Sequence, residues 1–225
     1  MSTPTWLCNH PQPSDFKIIC GEQTFRVHQE VICSGCSYFA GASKFREGIT
    51  QEITFNDFDP PQIEKLLEYL YTESYTIDEN DVKNLMNHTT SSPQRAAVSA
   101  AFSESCKNSS DENDMKDECV AIFHAEMYSL ADYFQLKSLR NLAKENFNSI
   151  FKTVASQGLT PVIDAVYSVT SDSDPLRFWV VYRILRSERV VLRETLTQVP
   201  EFAIDLCGAA LTAVRQNIMF TENKY

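Results

Sequence analysis

The sequence predicts an α+β fold: a small β-sheet with a helical cluster, followed by an all-helical C-terminal extension. Three observations carry that expectation. Phe16, Ile18 and Cys20 alternate with Lys17 and Ile19, and Phe25 and Val27 alternate with Thr24 and Arg26, so two short runs show the strand period of two. Asp59-Pro60, followed by Gln62 and then Ile63, Leu66, Leu67 and Leu70, has the pattern of a capped amphipathic helix. From Glu118 onward apolar residues recur at helical spacing. At 225 residues and 43% hydrophobic content the chain can bury the core of one large domain or two modest ones.

The elements follow in order. Residues 1–13 are rich in Pro and polar residues and read as loose. Residues 15–20 and 23–28 read as a hairpin, because Gly21-Glu22 is a Gly-first pair suited to a tight turn. From Gln29, Val31, Ile32, Cys36 and Phe39 fit two short helices. Residues 52–56 alternate again, with Ile53 and Phe55 on one face. The capped helix starts at Pro60, a residue suited to the first helical position. Residues 74–77 read as a brief strand. Residues 78–117 are dominated by Ser, Asn, Asp and Glu and read mostly as a disordered insertion, with room for a short helix at 82–86 or 94–102. Val120, Phe123, Met127, Leu130, Ala131 and Phe134 then form one stripe, and Leu136, Leu139, Leu142, Ala143, Phe147 and Ile150 a second, joined as a helical hairpin. In the tail, Thr160-Pro161, Asp174-Pro175 and Pro200 mark helix starts. The helix after Pro175 is apolar on more than one face and is expected to be largely covered.

Bulk composition excludes several classes of function. A net charge of −10 lacks the basic footprint of a nucleic-acid binder. No stretch approaches the roughly 20 apolar residues of a membrane span, and the opening MSTPTWLCNHPQPSD has no apolar run of a signal peptide. Seven cysteines, an odd number without framework spacing, point to reduced thiols in the cytoplasm or nucleus.

Candidate chemistry is sparse. Cys33 and Cys36 form a C-x-x-C with His28 nearby, but a zinc site needs four ligands and a redox pair needs an activated thiol, and no second C-x-x-C or His pair follows. Asp57/Asp59 and Asp111/Glu112 lie on turns or in the polar insertion, where nothing shifts a carboxylate toward catalysis. The six glycines form no phosphate-binding pattern. No catalytic residue, cofactor or metal site is expected.

Three segments together resemble a known family. SDFKIICGEQTFRVHQEVICSGCSYFAGA is similar to the opening of a BTB/POZ domain: Ser-Asp, a strand, Gly, a strand ending in Phe-x-Val-His, then Ser-x-Tyr-Phe. QEITFNDFDPPQIEKLLEYLYTESY resembles the next segment, with its Tyr-Leu-Tyr-Thr, and EMYSLADYFQLKSLRNLAKENF resembles the last helical pair. PLRFWVVYRIL and PEFAIDL look like the helical extension of fungal members. The resemblance implies a BTB/POZ domain over 14–151, interrupted at 78–117, with a helical extension over 152–225. It implies Asp15, His28 and Tyr71 as hallmarks of the fold, His28 at the strand-to-helix junction. It also singles out Phe45 and Glu47, because BTB adaptors that recruit a cullin scaffold carry a hydrophobic-x-Glu string at this point.

The function so implied is that of a protein–protein interaction adaptor or assembly module. A substrate adaptor of a cullin-RING ubiquitin ligase is the sharper form, with a cullin and other proteins as partners. The alternative is an oligomerising regulatory module of transcription or signalling without a ligase role. A redox or metal enzyme is the third class, and it would need a bound metal or an activated cysteine. Pro4, Pro11 and Pro13 disfavour a strand or helix ahead of Ser14. A homodimer is therefore expected to pack through residues 29–39 rather than by strand exchange, unless the tail covers that surface in a monomer.

Overall fold

Lys17 and Arg26 face outward and Phe16, Ile18, Cys20 and Val27 face inward, so the two first alternating runs can pair with one side in the core. A computed structural model describes residues 13–87, 109–187 and 193–222. Strands β1 (Phe16–Cys20) and β2 (Gln23–Val27) pair antiparallel, Ile18 opposite Phe25. Gly21 turns the chain between them with φ of +55°, a conformation that glycine adopts without a Cβ clash. Strand β3 (Glu52–Phe55) adds parallel to β1, Ile18 opposite Ile53, which gives the order β2-β1-β3.

Helices α1 (Gln29–Gly35), α2 (Ser37–Ala42) and α3 (Arg46–Thr50) fill the crossover from β2 to β3. Helix α4 (Pro60–Thr72) starts with the expected capping box, the Asp59 N–H donating to Gln62 Oε1 at 2.9 Å. The Gln62 amide also donates to Glu126 Oε2 at 3.1 Å and so ties α4 to the next long helix.

Residues 74–77 form no strand. They carry no regular secondary structure, and Tyr75 is buried with its hydroxyl 2.9 Å from His124 Nδ1. The expected disorder of 78–117 is corrected at both ends. Helix α5 (Glu79–Asn87) spans the 82–86 helix considered from the sequence. Asp78 and Asp81 cap it reciprocally, the Asp81 N–H donating to Asp78 Oδ1 at 2.8 Å and the Asp78 N–H to Asp81 Oδ2 at 3.0 Å. Lys65, only 7% exposed, donates to Asp81 at 2.7 Å and to Glu68 at 3.0 Å, which fastens this acidic helix to α4. The 94–102 alternative lies outside the described residues, as do residues 1–12. Helix α6 (Ser109–Tyr133) begins well before Glu118. Gln135, in the left-handed conformation, turns the chain into α7 (Lys137–Ile150), and the two pack as the expected hairpin.

The tail holds α8 (Leu159–Val169), α9 (Pro175–Arg186), α10 (Arg193–Gln198) and α11 (Pro200–Glu222). Helix α8 packs on α6 and carries the core into the tail through Val162, Ile163 and Val166. Asp174 is the joint. Its carboxylate caps α9 by accepting from the Leu176 N–H at 2.7 Å, and also accepts from Tyr128 on α6 at 2.9 Å and Arg140 on α7 at 2.8 Å. Arg177, 5% exposed, donates to the carbonyls of Tyr167 and Thr170 and to Glu201 at 2.8 Å. The expectation that α9 is largely covered is corrected. Leu176, Val180 and Ile184 are buried and Trp179 meets Phe147 and Phe151 of α7, but Phe178 and Tyr182 stay 66% and 50% exposed. One side of a 12-residue helix remains bare because α7, α8 and α11 reach only the others.

Candidate functional site

Between α2 and β3 the chain turns tightly, and Gly48 sets how tightly. A Cβ there would stand 1.8 Å from the Ser43 carbonyl oxygen, so α3 can lie against the end of α2 only with glycine at this position. Phe45, in an extended conformation, precedes the first residue of α3. Its side chain is 71% exposed, and Ile49, one turn on, is 86% exposed. A short helix thus stands between Phe45 and the strand, with large apolar groups exposed at its start and within it.

Tyr38 joins this segment to an aromatic cluster. Phe39, Phe55 and Phe134 are fully buried and meet in pairs at ring separations of 5.6–6.2 Å. Tyr38 packs edge-on to Phe134 at 5.0 Å and reaches Tyr133, itself 55% exposed, at 5.9 Å. A groove of about 650 Å³ opens beside Tyr38 and carries Phe45, Arg46, Glu47, Thr50, Glu52 and Ile53 on its walls. Burial, the neighbouring Tyr133 and the Glu47 carboxylate all push the Tyr38 phenol above its usual range, so it remains a neutral donor at physiological pH. The groove thus offers the Phe45 ring, the Tyr38 phenol, two carboxylates and the Arg46 guanidinium, with Ile49 exposed nearby in the chain and Tyr133 reached through Tyr38. Tyr133 and Ile49 were not singled out from the sequence. Tyr133 arrives from a helix some 90 residues away, and Ile49 sits in a helix of only five residues with no periodic signal.

Asp15, His28 and Tyr71 converge elsewhere. Asp15 Oδ1 accepts from the Gln29 N–H at 2.8 Å and so caps α1. The Tyr71 hydroxyl, from α4, accepts from the His28 N–H at 2.8 Å and lies 2.7 Å from His28 Nδ1. These contacts pin the start of α1 between the first strand and α4. His28 is 6% exposed, and its ring edge meets Tyr71.

Cys33 is half-buried and Cys36 is 2% exposed. Burial pushes the Cys36 thiol above its ordinary value, and it donates to the Phe134 carbonyl at 3.8 Å. That is the opposite of the activation a nucleophilic thiol requires. Cys20 is likewise pushed up to about 11 by burial and then by Asp59. Among the described residues no group of three His, Cys, Asp or Glu side chains could hold a metal ion, and no helix is long and apolar enough to cross a membrane.

Comparison with known proteins finds the BTB/POZ domain family at residues 7–110. The chain is 28% identical over 141 residues to BTB and MATH domain-containing protein 15 of Caenorhabditis elegans, a match that takes in 61% of this chain and 46% of that protein. The chain therefore spans about half the length of this curated relative. Among solved structures, the BTB domain of zebrafish PATZ1 is similar at 13% identity, over 60% of this chain and 76% of that one, with a TM-score of 0.33.

Proposed function

Because the chain carries a BTB/POZ domain, a module of protein–protein interaction and assembly, we propose that it is an adaptor whose docking face is the groove around Phe45 and Glu47. The sharper reading is a substrate adaptor that presents this face to a cullin scaffold, with substrates held elsewhere on the molecule. The observation that carries it is the 71% exposure of Phe45 on the wall of a groove that also holds Tyr38 and Glu47. A large aromatic held in water stabilises nothing in the monomer and suits a partner's pocket. Glu47 beside it supplies a carboxylate to orient that partner, in the role that charges at an interface edge play. We further propose that the domain extends to residue 151 with residues 152–225 as its extension, a reading supported by the packing of Phe134, at the turn into α7, on Phe39 and Phe55.

Calorimetric titration of the intact chain against a cullin N-terminal domain tests the proposal. Saturable binding is the expected result. Absence of heat across the micromolar range removes the ligase reading and leaves the assembly module.

A further inference from the structure

The exposed side of α9 meets a second bare face on α11. Phe178, Tyr182 and Leu185 stand along α9, and between the two helices lies a groove of about 910 Å³ floored by Gly208 and Ala209. On α11 the outward residues are Glu201, Ile204, Gly208, Leu211 and Arg215, all exposed, with Ile204 at 71% and Leu211 at 59%. Their spacing of three, four, three and four residues is that of a helix–helix seam. None of the described tail residues covers it.

The order of residues along this seam says what fits. Glu201 and Arg215 lie at its two ends, Ile204 and Leu211 inside them, and Gly208 at the middle. Read backwards the pattern is the same, with the charges exchanged. An antiparallel copy centred on Gly208 sets Glu201 against Arg215 and glycine against glycine, and brings Ile204 and Leu211, four residues before and three after the centre, side by side one residue out of register. A two-fold interface demands this self-complementarity. Gly208 adds an independent mark. A glycine inside a helix weakens it, and a Cβ added here would meet nothing within 4 Å, so no contact within the chain requires it. Close approach of another helix backbone would.

We propose that the chain self-associates through this tail face, two copies of α11 crossing antiparallel at Gly208 with Phe178 and Tyr182 of each α9 closing over the flanks. The seam is locally neutral, so the net charge of −10 does not bar pairing there.

Sedimentation equilibrium of the intact chain at tens of micromolar is the test. The expected mass is twice the 25.6 kDa of one chain. Leu211→Glu returns it to a single chain with unchanged far-ultraviolet circular dichroism, because that side chain is mostly in water. Gly208→Leu has free space in the single chain, so it leaves helix content intact or raises it while weakening the dimer roughly tenfold or more. Arg215→Glu sets like charges opposite each other at both ends and weakens it too. A single-chain mass for the wild type overturns the proposal. So does a dimer that survives both Leu211→Glu and Gly208→Leu. None of these changes touches Phe45, so the cullin reading stands or falls separately.

Discussion

The Tyr71 hydroxyl serves two groups of His28 at once, and so a single oxygen on α4 fixes where α1 begins. Tyr71→Phe leaves the His28 N–H without this acceptor at a part-buried site. The expected loss is about 1–3 kcal/mol, seen as a fall in denaturant midpoint at constant m-value. Glu118 gives a pH signature. It is 8% exposed against Gly158, where an added Cβ would meet its carboxylate at 2.1 Å. Burial, with help from Asp114 and Asp117, pushes its carboxyl from the ordinary 4.5 to about 7. Because the folded value lies above the unfolded one, Glu118 favours folding below the ordinary carboxylate range. That contribution is lost as pH rises through about 7. Glu118→Gln should therefore raise the melting temperature at pH 8 and leave it nearly unchanged at pH 4; an equal shift at both would refute the assignment. His124 acts at the acid end. Burial lowers it from 6.5 to about 4, so its contribution is present above its unfolded value and lost as pH falls through about 4. At this scale Asp15, His28 and Tyr71 were legible from motif. Asp174 could be read only as a helix start, and Arg177 and His124 were not singled out, because the ties of all three reach partners from 24 to 49 residues away.

Element by element, the two alternating runs, the Asp59 capping box and the paired stripes of α6 and α7 could be read directly, since period and caps are local properties. Helix α5 could not. Its composition is that of a solvated segment, and it holds because Lys65 reaches across from α4 while Asp78 and Asp81 cap each other. Lys65→Met should therefore loosen α5 in particular, with faster amide exchange over 79–87 than in α4. Helix α3 was missed for a different reason: five residues are too few to show a period. Gly48→Ala forces it off the end of α2. That change should displace Phe45 and weaken docking while far-ultraviolet dichroism stays nearly constant; unaltered binding would mean that the placement of α3 does not matter.

Across the whole molecule one core runs from the sheet through α6 into α8, and Asp174 closes the joint between helical hairpin and tail. Asp174→Ala removes a helix cap and strands Tyr128 and Arg140, for a cost of about 2–4 kcal/mol in a thermal or denaturant melt. Among the described residues two surfaces stay bare: the groove at Phe45 and the face along α9 and α11. The first was foreshadowed by a three-residue string. The second was invisible, because an apolar helix reads the same whether its neighbours cover two sides or three. On the adaptor reading Phe45 is held in water for a partner. Phe45→Ala decides this, with cullin-domain titration and a melting curve on the same preparation. The predicted result is an affinity loss of about 2 kcal/mol or more with the melting temperature unchanged. A melting temperature that falls by several degrees, or binding that does not change, would contradict it.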